Sequence, residues 1–309
     1  MGNCCVTKTY EKYYKDCNWD NAETEMAVVC NKYSPVLTRN YIKIEDKAGP
    51  NGFPYLMDGK FVKLILKNKK NHHLKVLVNI KKIQREFKNY KYICLPQRII
   101  EIPNSLALVF EMHNGDLLDW IKNIETWRPN ERSRIFAKII EIVEYIHNKG
   151  FVHRDIKLEN ICLTKDNEPI FIDLDYMGLA TVTDFKGTRE YMPSKNVFKA
   201  LRLHRPDLSD KEKNIFLDLY ALGKTFATLL CIENYKFMQP QNQLIYDIWQ
   251  KWAKKKHTSL RLHRIEKGDL NYHSKWWNVV FGLCYKNEEA VYDPQIEFIK
   301  LKDINKLLN

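Results

Sequence analysis

Apolar positions change their spacing several times along this chain, and each change marks an element. Phe61-Val62-Lys63-Leu64-Ile65-Leu66 is a run of strand-forming side chains; alternation puts Lys63 on one face with Phe61 and Ile65. From Val76 the apolar residues recur at 76, 80, 83, 87 and 90, which predicts a helix over residues 76–90. A second strand is expected at 105–110, running into Glu111-Met112-His113-Asn114-Gly115-Asp116. Ile135, Ile139, Ile142 or Val143, and Ile146 form one helical face ending at Gly150, a natural C-terminal cap. Two short strands, 161–163 and 169–172, flank the turn Lys165-Asp166-Asn167. The apolar stretch 215–231 carries Asp218 and Lys224 and suits a buried helix better than a membrane span. Upstream the pattern is weaker: strand-like pieces at 25–30 and 41–44, broken by Ser34-Pro35 and Gly49-Pro50-Asn51-Gly52.

The predicted helix ending at Gly150 delivers the chain into His153-Arg154-Asp155-Ile156-Lys157-Leu158-Glu159-Asn160, and thirteen positions after Asn160 an apolar strand ends at Asp173. These residue types can gather around one Mg²⁺-bound triphosphate. Asn160 and Asp173 would hold the metal, Lys157 would neutralise charge on the phosphoryl group in flight, and Asp155 would orient the attacking hydroxyl. The stretch resembles the catalytic loop and metal-binding strand of eukaryotic-type protein kinases, and Lys157 makes it similar to their Ser/Thr branch. The resemblance runs from about residue 60 to 231 and more loosely to the end.

That resemblance carries further expectations. In the family a strand lysine binds the α- and β-phosphates and a helix glutamate fixes it; Lys63 and Glu86 are the candidates, Glu86 standing at the edge of the apolar stripe, and the alternative is that Lys63 is a surface residue and Lys75 or none fills the role. Glu111 and His113 would offer backbone contacts to adenine, Phe110 would bound the back of its pocket, and Asp116 would hold the ribose. The family's Asp-Phe-Gly is here Asp173-Leu174-Asp175. The interval from Asn160 favours Asp173 as ligand; Asp175, in a version with a longer hairpin, is the alternative. Gly187-Thr188-Arg189-Glu190-Tyr191-Met192 is similar to the end of an activation segment, in which Thr188 helps to hold the catalytic aspartate. Arg154 would bind a phosphate on Thr181 or Thr183. Asp218, in an apolar helix, would accept hydrogen bonds from the catalytic-loop backbone, an architectural role. Two family features are missing. There is no G-x-G-x-x-G lid; Gly49 and Gly52 are its remnant, expected to lie too close to the next strand for a full hairpin. Ala-Pro-Glu is replaced by Pro193-Ser194-Lys195, with no arginine after Arg264 to pair a glutamate, so another brace is expected.

With 45% hydrophobic and 28% charged residues, the 309-residue chain has a globular balance. The net charge of +12 points to anionic partners, ATP or an acidic membrane face or acidic substrates; no nucleic-acid motif accompanies it, so no nucleic acid is expected. The eight cysteines show no Cys-x-x-Cys spacing, which argues against a zinc site or disulfide framework and for a reducing, cytosolic setting. There is no secretory signal. The chain opens Met-Gly-Asn-Cys-Cys: Gly2 is a candidate for myristoylation and Cys4 and Cys5 for palmitoylation, with Lys8, Lys12 and Lys15 adding attraction to an acidic surface. Val6 stands where the usual signal has Ser or Thr, and the hydroxyl arrives at Thr7.

The expectation is therefore an α+β, bilobal protein-kinase-like fold: an extension at 1–20, a β-rich lobe with one main helix at 21–111 and a helical lobe at 112–309. Its activity would be that of a protein serine/threonine kinase, a phosphotransferase using ATP with Mg²⁺ or Mn²⁺ on protein substrates, lipid-anchored at the cytosolic face of a membrane or cytoplasmic. Two alternatives stay open. A pseudokinase or scaffold is favoured by the missing lid and Asp-Leu-Asp. A small-molecule kinase of the aminoglycoside or choline type shares the Asp-x-x-x-x-Asn spacing.

Overall fold

The computed structural model describes residues 19–33, 41–44, 52–67, 72–122, 129–182, 186–237, 276, 279–280 and 282–304; Gly2, Cys4, Cys5, Gly49 and Thr183 lie outside them. Contacts divide the chain between His113 and Asn114 into two compact units. The first is built on a sheet and the second is mainly helical, so the chain is mixed α+β as the sequence predicts.

In the first unit five antiparallel strands lie in the order β1 (Tyr41–Lys43), β2 (Phe53–Met57), β3 (Lys60–Leu66), β5 (Ser105–Glu111) and β4 (Arg98–Ile102). The hairpin that seemed too cramped on sequence is made. Tyr41 pairs with Met57, Lys43 with Tyr55, and Ile44 N donates to Pro54 O at 3.0 Å. Its room comes from the next turn. Asp58 and Gly59 have φ of 50° and 69°, a two-residue connection with both centres left-handed, so β3 follows β2 without a longer loop.

The stretch 25–30, expected as strand, lies inside helix α1 (Trp19–Tyr33). Its buried side chains Ala22, Met26, Val29 and Cys30 recur at helical spacing, and a two-residue period cannot bury all of them on one face. The helix lays this stripe on Tyr55, Met57, Val62, Leu64 and Val109. Trp19 stands edge-on to Phe53 and Tyr55 at 5.0 and 5.8 Å, and Glu25 accepts from Asn104 Nδ2 and Ser105 Oγ at 2.9 and 3.1 Å. Each fully buried side chain of Met26 and Val29 contributes about 1.5–3 kcal/mol. Helix α2 (His72–Phe87) buries Val76, Ile80, Ile83 and Phe87 of the predicted stripe and lies against β5; it ends before Tyr90, the stripe's fifth position, which is half-buried.

The second unit contains α3 (Leu117–Lys122), α4 (Pro129–Asn148), α5 (Lys195–Leu203), α6 (Asp210–Phe237) and α7 (Asn287–Tyr292), with two short ladders, β6 (Phe151–Val152) on β9 (Gly178–Leu179) and β7 (Ile161–Leu163) on β8 (Pro169–Phe171). The predicted face Ile135, Ile139, Ile142, Val143 and Ile146 is buried throughout. From the same helix Phe136 stacks on Phe226 of α6 at 4.5 Å, while Trp276 meets Phe136 edge-on and donates Nε1 to Ser133 Oγ, a core role.

A buried arginine that the sequence did not single out ties the chain after α5 to the C-terminal part of the second unit. Arg205, only 5% exposed, follows α5. It pairs with Asp207 at 2.7 Å, donates to Ala290 O on α7 and lies over the Phe298 ring at 5.0 Å. Ser194 caps α5 by accepting from Val197 N. Among the described residues no helix is long and apolar enough to cross a membrane.

Candidate active site

The loop 153–160 leaves the β6–β9 ladder and enters the β7–β8 ladder, so both its ends are pinned. Its underside is pinned as well. Asp218 of α6, 1% exposed, accepts from Arg154 N on one oxygen and from His153 N on the other, each at 2.7 Å, and His147 Nε2 lies 2.9 Å from the second oxygen. Burial pushes the Asp218 carboxyl up, but the His147 hydrogen bond and the neighbouring imidazoles outweigh it, and the group lies below the ordinary carboxylate value. His153 is fully buried; burial holds its ring below the usual imidazole range against the pull of Asp218, Asp155 and Asp173. These bonds hold Arg154 at φ 67°, a left-handed conformation that costs a non-glycine residue about 1–3 kcal/mol and persists only where the surroundings over-determine it.

Asp155 is the point of convergence. Its carboxylate, 5% exposed, receives four donors: Thr188 N and Oγ1 at 2.9 and 2.6 Å on one oxygen, Asn160 Nδ2 and Lys157 Nζ at 2.8 and 2.9 Å on the other. Lys157 Nζ also donates to Thr188 Oγ1 at 2.7 Å. Burial draws the Lys157 ammonium down, but the charge and hydrogen bond of Asp155, with Glu159 and Asp173 farther out, leave it above the ordinary lysine value. Thr188 reaches Asp155 because Gly187 precedes it. Gly187 has φ 141°, and a Cβ there would stand 2.4 Å from Arg154 O, so only glycine lets the segment pass.

Asn160 and Asp173 are set side by side by the β7–β8 ladder, since Ile172 N donates to Asn160 O at 3.0 Å. The Asn160 amide nitrogen is spent on Asp155 O and its carboxylate, both at 2.8 Å, which leaves the amide oxygen as the group it can offer a cation. Asp173 is exposed at φ 52°, and its charge acts on both Lys157 and His153. An amide oxygen and a carboxylate are hard donors suited to Mg²⁺, which keeps waters and takes phosphate oxygens for its remaining positions. Asp175, the alternative ligand, is half-buried two residues on.

The nucleotide candidates of the first unit are arranged less completely. Lys63 is half-buried on β3, paired across to Leu108, on the face opposite Val62 and Leu64. Glu86 is exposed on α2, and among the described residues no ion pair joins it to Lys63, in contrast to the expected pairing. The helix turns Ile83 and Phe87 into the core and leaves residue 86 on the surface, about 60° around from Ile83 and about 100° from Phe87. Glu111 ends β5, exposed, opposite Lys60. His113 is half-buried, and burial holds its imidazole below the usual range against the charge of Glu111. Asp116, expected at the ribose, is buried in the second unit and caps α3 by accepting from Asp119 N at 2.9 Å, so one of its oxygens is spent on the helix.

The protein kinase domain model matches residues 59–289. The chain is 39% identical over 139 residues to serine/threonine-protein kinase pim-2 of Danio rerio (42% of this chain, 41% of the relative). It is 33% identical over 156 residues to an SNF1-related protein kinase catalytic subunit alpha of Arabidopsis thaliana (48% and 30%). Serine/threonine-protein kinase 33 of Bos taurus is 24% identical over 200 residues (62% and 37%). The matched stretch spans less than half the length of each of these relatives.

Proposed function

Because this chain belongs to the protein kinase family, we propose that it transfers the γ-phosphoryl group of ATP to serine or threonine hydroxyls of protein substrates, using Mg²⁺ or Mn²⁺. The observation that carries this reading is the convergence of Lys157, Asn160 and Thr188 on the buried Asp155 carboxylate. Four donors fill its lone pairs. An incoming substrate hydroxyl takes over the oxygen held by the Thr188 hydroxyl, the donor that rotates most freely, and Asp155 then orients it and accepts its proton. Lys157, held charged by Asp155, neutralises charge on the phosphoryl group. Asn160 and Asp173 would hold the divalent ion, which supplies charge neutralisation on the phosphates when bound. Lys63 is the candidate cation for the nucleotide's inner phosphates.

The test is incorporation of radiolabelled phosphate from ATP into generic basic and acidic proteins. Label appears with Mg²⁺ or Mn²⁺ and disappears with a chelator. A nucleotide-dependent rise in melting temperature without label would instead mean a scaffold that binds without turnover, and label on aminoglycoside or choline but no protein would mean a small-molecule kinase.

Acylation at Gly2, with Cys4 and Cys5 as second anchors, is the basis on which we place the kinase at the cytosolic face of a membrane. A myristate analogue fed to expressing cells labels the wild-type chain and fails to label Gly2→Ala. Equal labelling of the two rejects the anchor.

A further inference from the structure

Helix α6 carries three buried polar side chains on one face, Asn214, Asp218 and Thr225, which are 2%, 1% and 0% exposed. Their spacing of four and seven residues makes them a stripe, and a buried polar group persists where it is paired. Two of the three serve the catalytic loop: Asp218 takes the amides of His153 and Arg154, and Thr225 Oγ1 reaches Ile156 O at 3.3 Å. Asn214 serves a different segment. Its Nδ2 donates to Ala180 O at 2.7 Å and Val182 O at 3.0 Å, on the chain between β9 and Thr188.

Arg154 works on the same segment and shares one carbonyl with Asn214, that of Val182. Its Nη1 donates to Tyr176 O at 3.1 Å, and its Nη2 to Leu179 O and Val182 O at 2.8 and 2.9 Å. Val182 O therefore has one lone pair filled by Arg154 and one by Asn214. Ala180 N adds a bond to Gly150 O at 2.8 Å.

Resting on the protein kinase reading above, we propose that Asn214 is a positioning residue which, with Arg154, fixes residues 176–182 in working geometry with no phosphate on the segment. An arginine beside a catalytic aspartate is a place where a segment phosphate can dock and order the chain. Here both terminal nitrogens of Arg154 are engaged by the segment's own carbonyls. Nη2 has both its hydrogens on Leu179 O and Val182 O, so a phosphate on Thr181 that took this nitrogen would leave a carbonyl without that donor, and unpaired carbonyls in part-buried surroundings are costly. The segment is thus set by neutral acceptors built into the chain, and the Asn214 amide is the fixed post against which it is held.

The experiment uses the full chain, treated with phosphatase, with an unmodified segment verified by mass spectrometry. Its kcat, and that of Thr181→Ala/Thr183→Ala, stay within about twofold of untreated protein. Asn214→Leu, similar in size but without the donors, lowers kcat about tenfold or more at unchanged nucleotide KM, and trypsin cuts after Lys186 or Arg189 about tenfold faster. A fall of kcat beyond about tenfold on phosphatase treatment overturns the proposal, as does wild-type protection of the segment in Asn214→Leu. Should Asn214→Leu fail to fold, Asn214→Ser, which keeps one donor, is read in the same cleavage assay, and the phosphatase result decides independently. If the wild type transfers no phosphate at all, the kinase reading fails, while the cleavage rates still decide whether Asn214 holds the segment.

Discussion

Asp155→Asn is expected to lower kcat by about 10²- to 10⁴-fold while leaving the nucleotide KM close to that of the wild type. The substitution keeps the shape and removes the charge. At either position the nitrogen of the new amide would face at least one group that can only donate, the Thr188 N–H on one side or the Asn160 amide nitrogen and Lys157 ammonium on the other. A donor set against donors costs about 1–3 kcal/mol, so the melting temperature falls modestly. The larger loss is in chemistry. No group is left to accept the substrate proton, and Lys157 loses the charge and hydrogen bond that do most to raise its pKa. The kcat and KM split separates this from a binding defect. Transfer at the wild-type rate in a folded Asp155→Asn would mean that Asp155 does not act on the reacting hydroxyl.

How much of this could be read beforehand depended on where the information lies along the chain. The catalytic loop was legible because its chemistry is local: Asp155, Lys157 and Asn160 sit within six residues, and the ladders on either side bring Asp173 next to Asn160 by strand register alone. Helix α4 was legible because its buried side is a regular isoleucine stripe. Helix α1 was not, because its stripe starts at Ala22, ahead of the strand-like stretch 25–30. Without that residue, 26, 29 and 30 are too few to separate a helical period from a strand. Partner choice across the fold was the harder problem. Glu86 stands at the edge of the apolar stripe, which suggests Lys63 as its partner, yet the turn of the helix between Ile83 and Phe87 puts it in solvent. Arg205 and Asn214 carry little local signal, Arg205 only the carboxylate of Asp207 two residues on. Their distant partners, Ala290 for Arg205 and Ala180 and Val182 for Asn214, are brought to them by tertiary packing. Asn214 had one usable clue: it lies a helical turn before Asp218 on a helix otherwise recognised as buried.

Asp218→Ala is expected to cost about 3–5 kcal/mol, the loss typical of removing one partner from a buried charged cluster. At roughly 2–4 °C per kcal/mol for a domain of this size, that lowers the melting temperature by about 6–20 °C. The truncation leaves the amides of His153 and Arg154 and the ring of His147 facing a cavity, all of them buried or nearly so. It also removes the bond that holds Arg154 in its left-handed conformation. Transfer should therefore fall even well below the melting point, because Asp155 follows Arg154 directly and inherits its orientation. Acid provides a second check. The folded Asp218 carboxyl lies below its ordinary value of 3.8, so the stability it contributes is complete above that value and is lost as pH falls through the folded one. The wild type should lose more stability than Asp218→Asn over that acid range. An Asp218→Ala protein that melts with the wild type and keeps its rate would show that Asp218 does not support the loop, and the geometry around Asp155 would need another source.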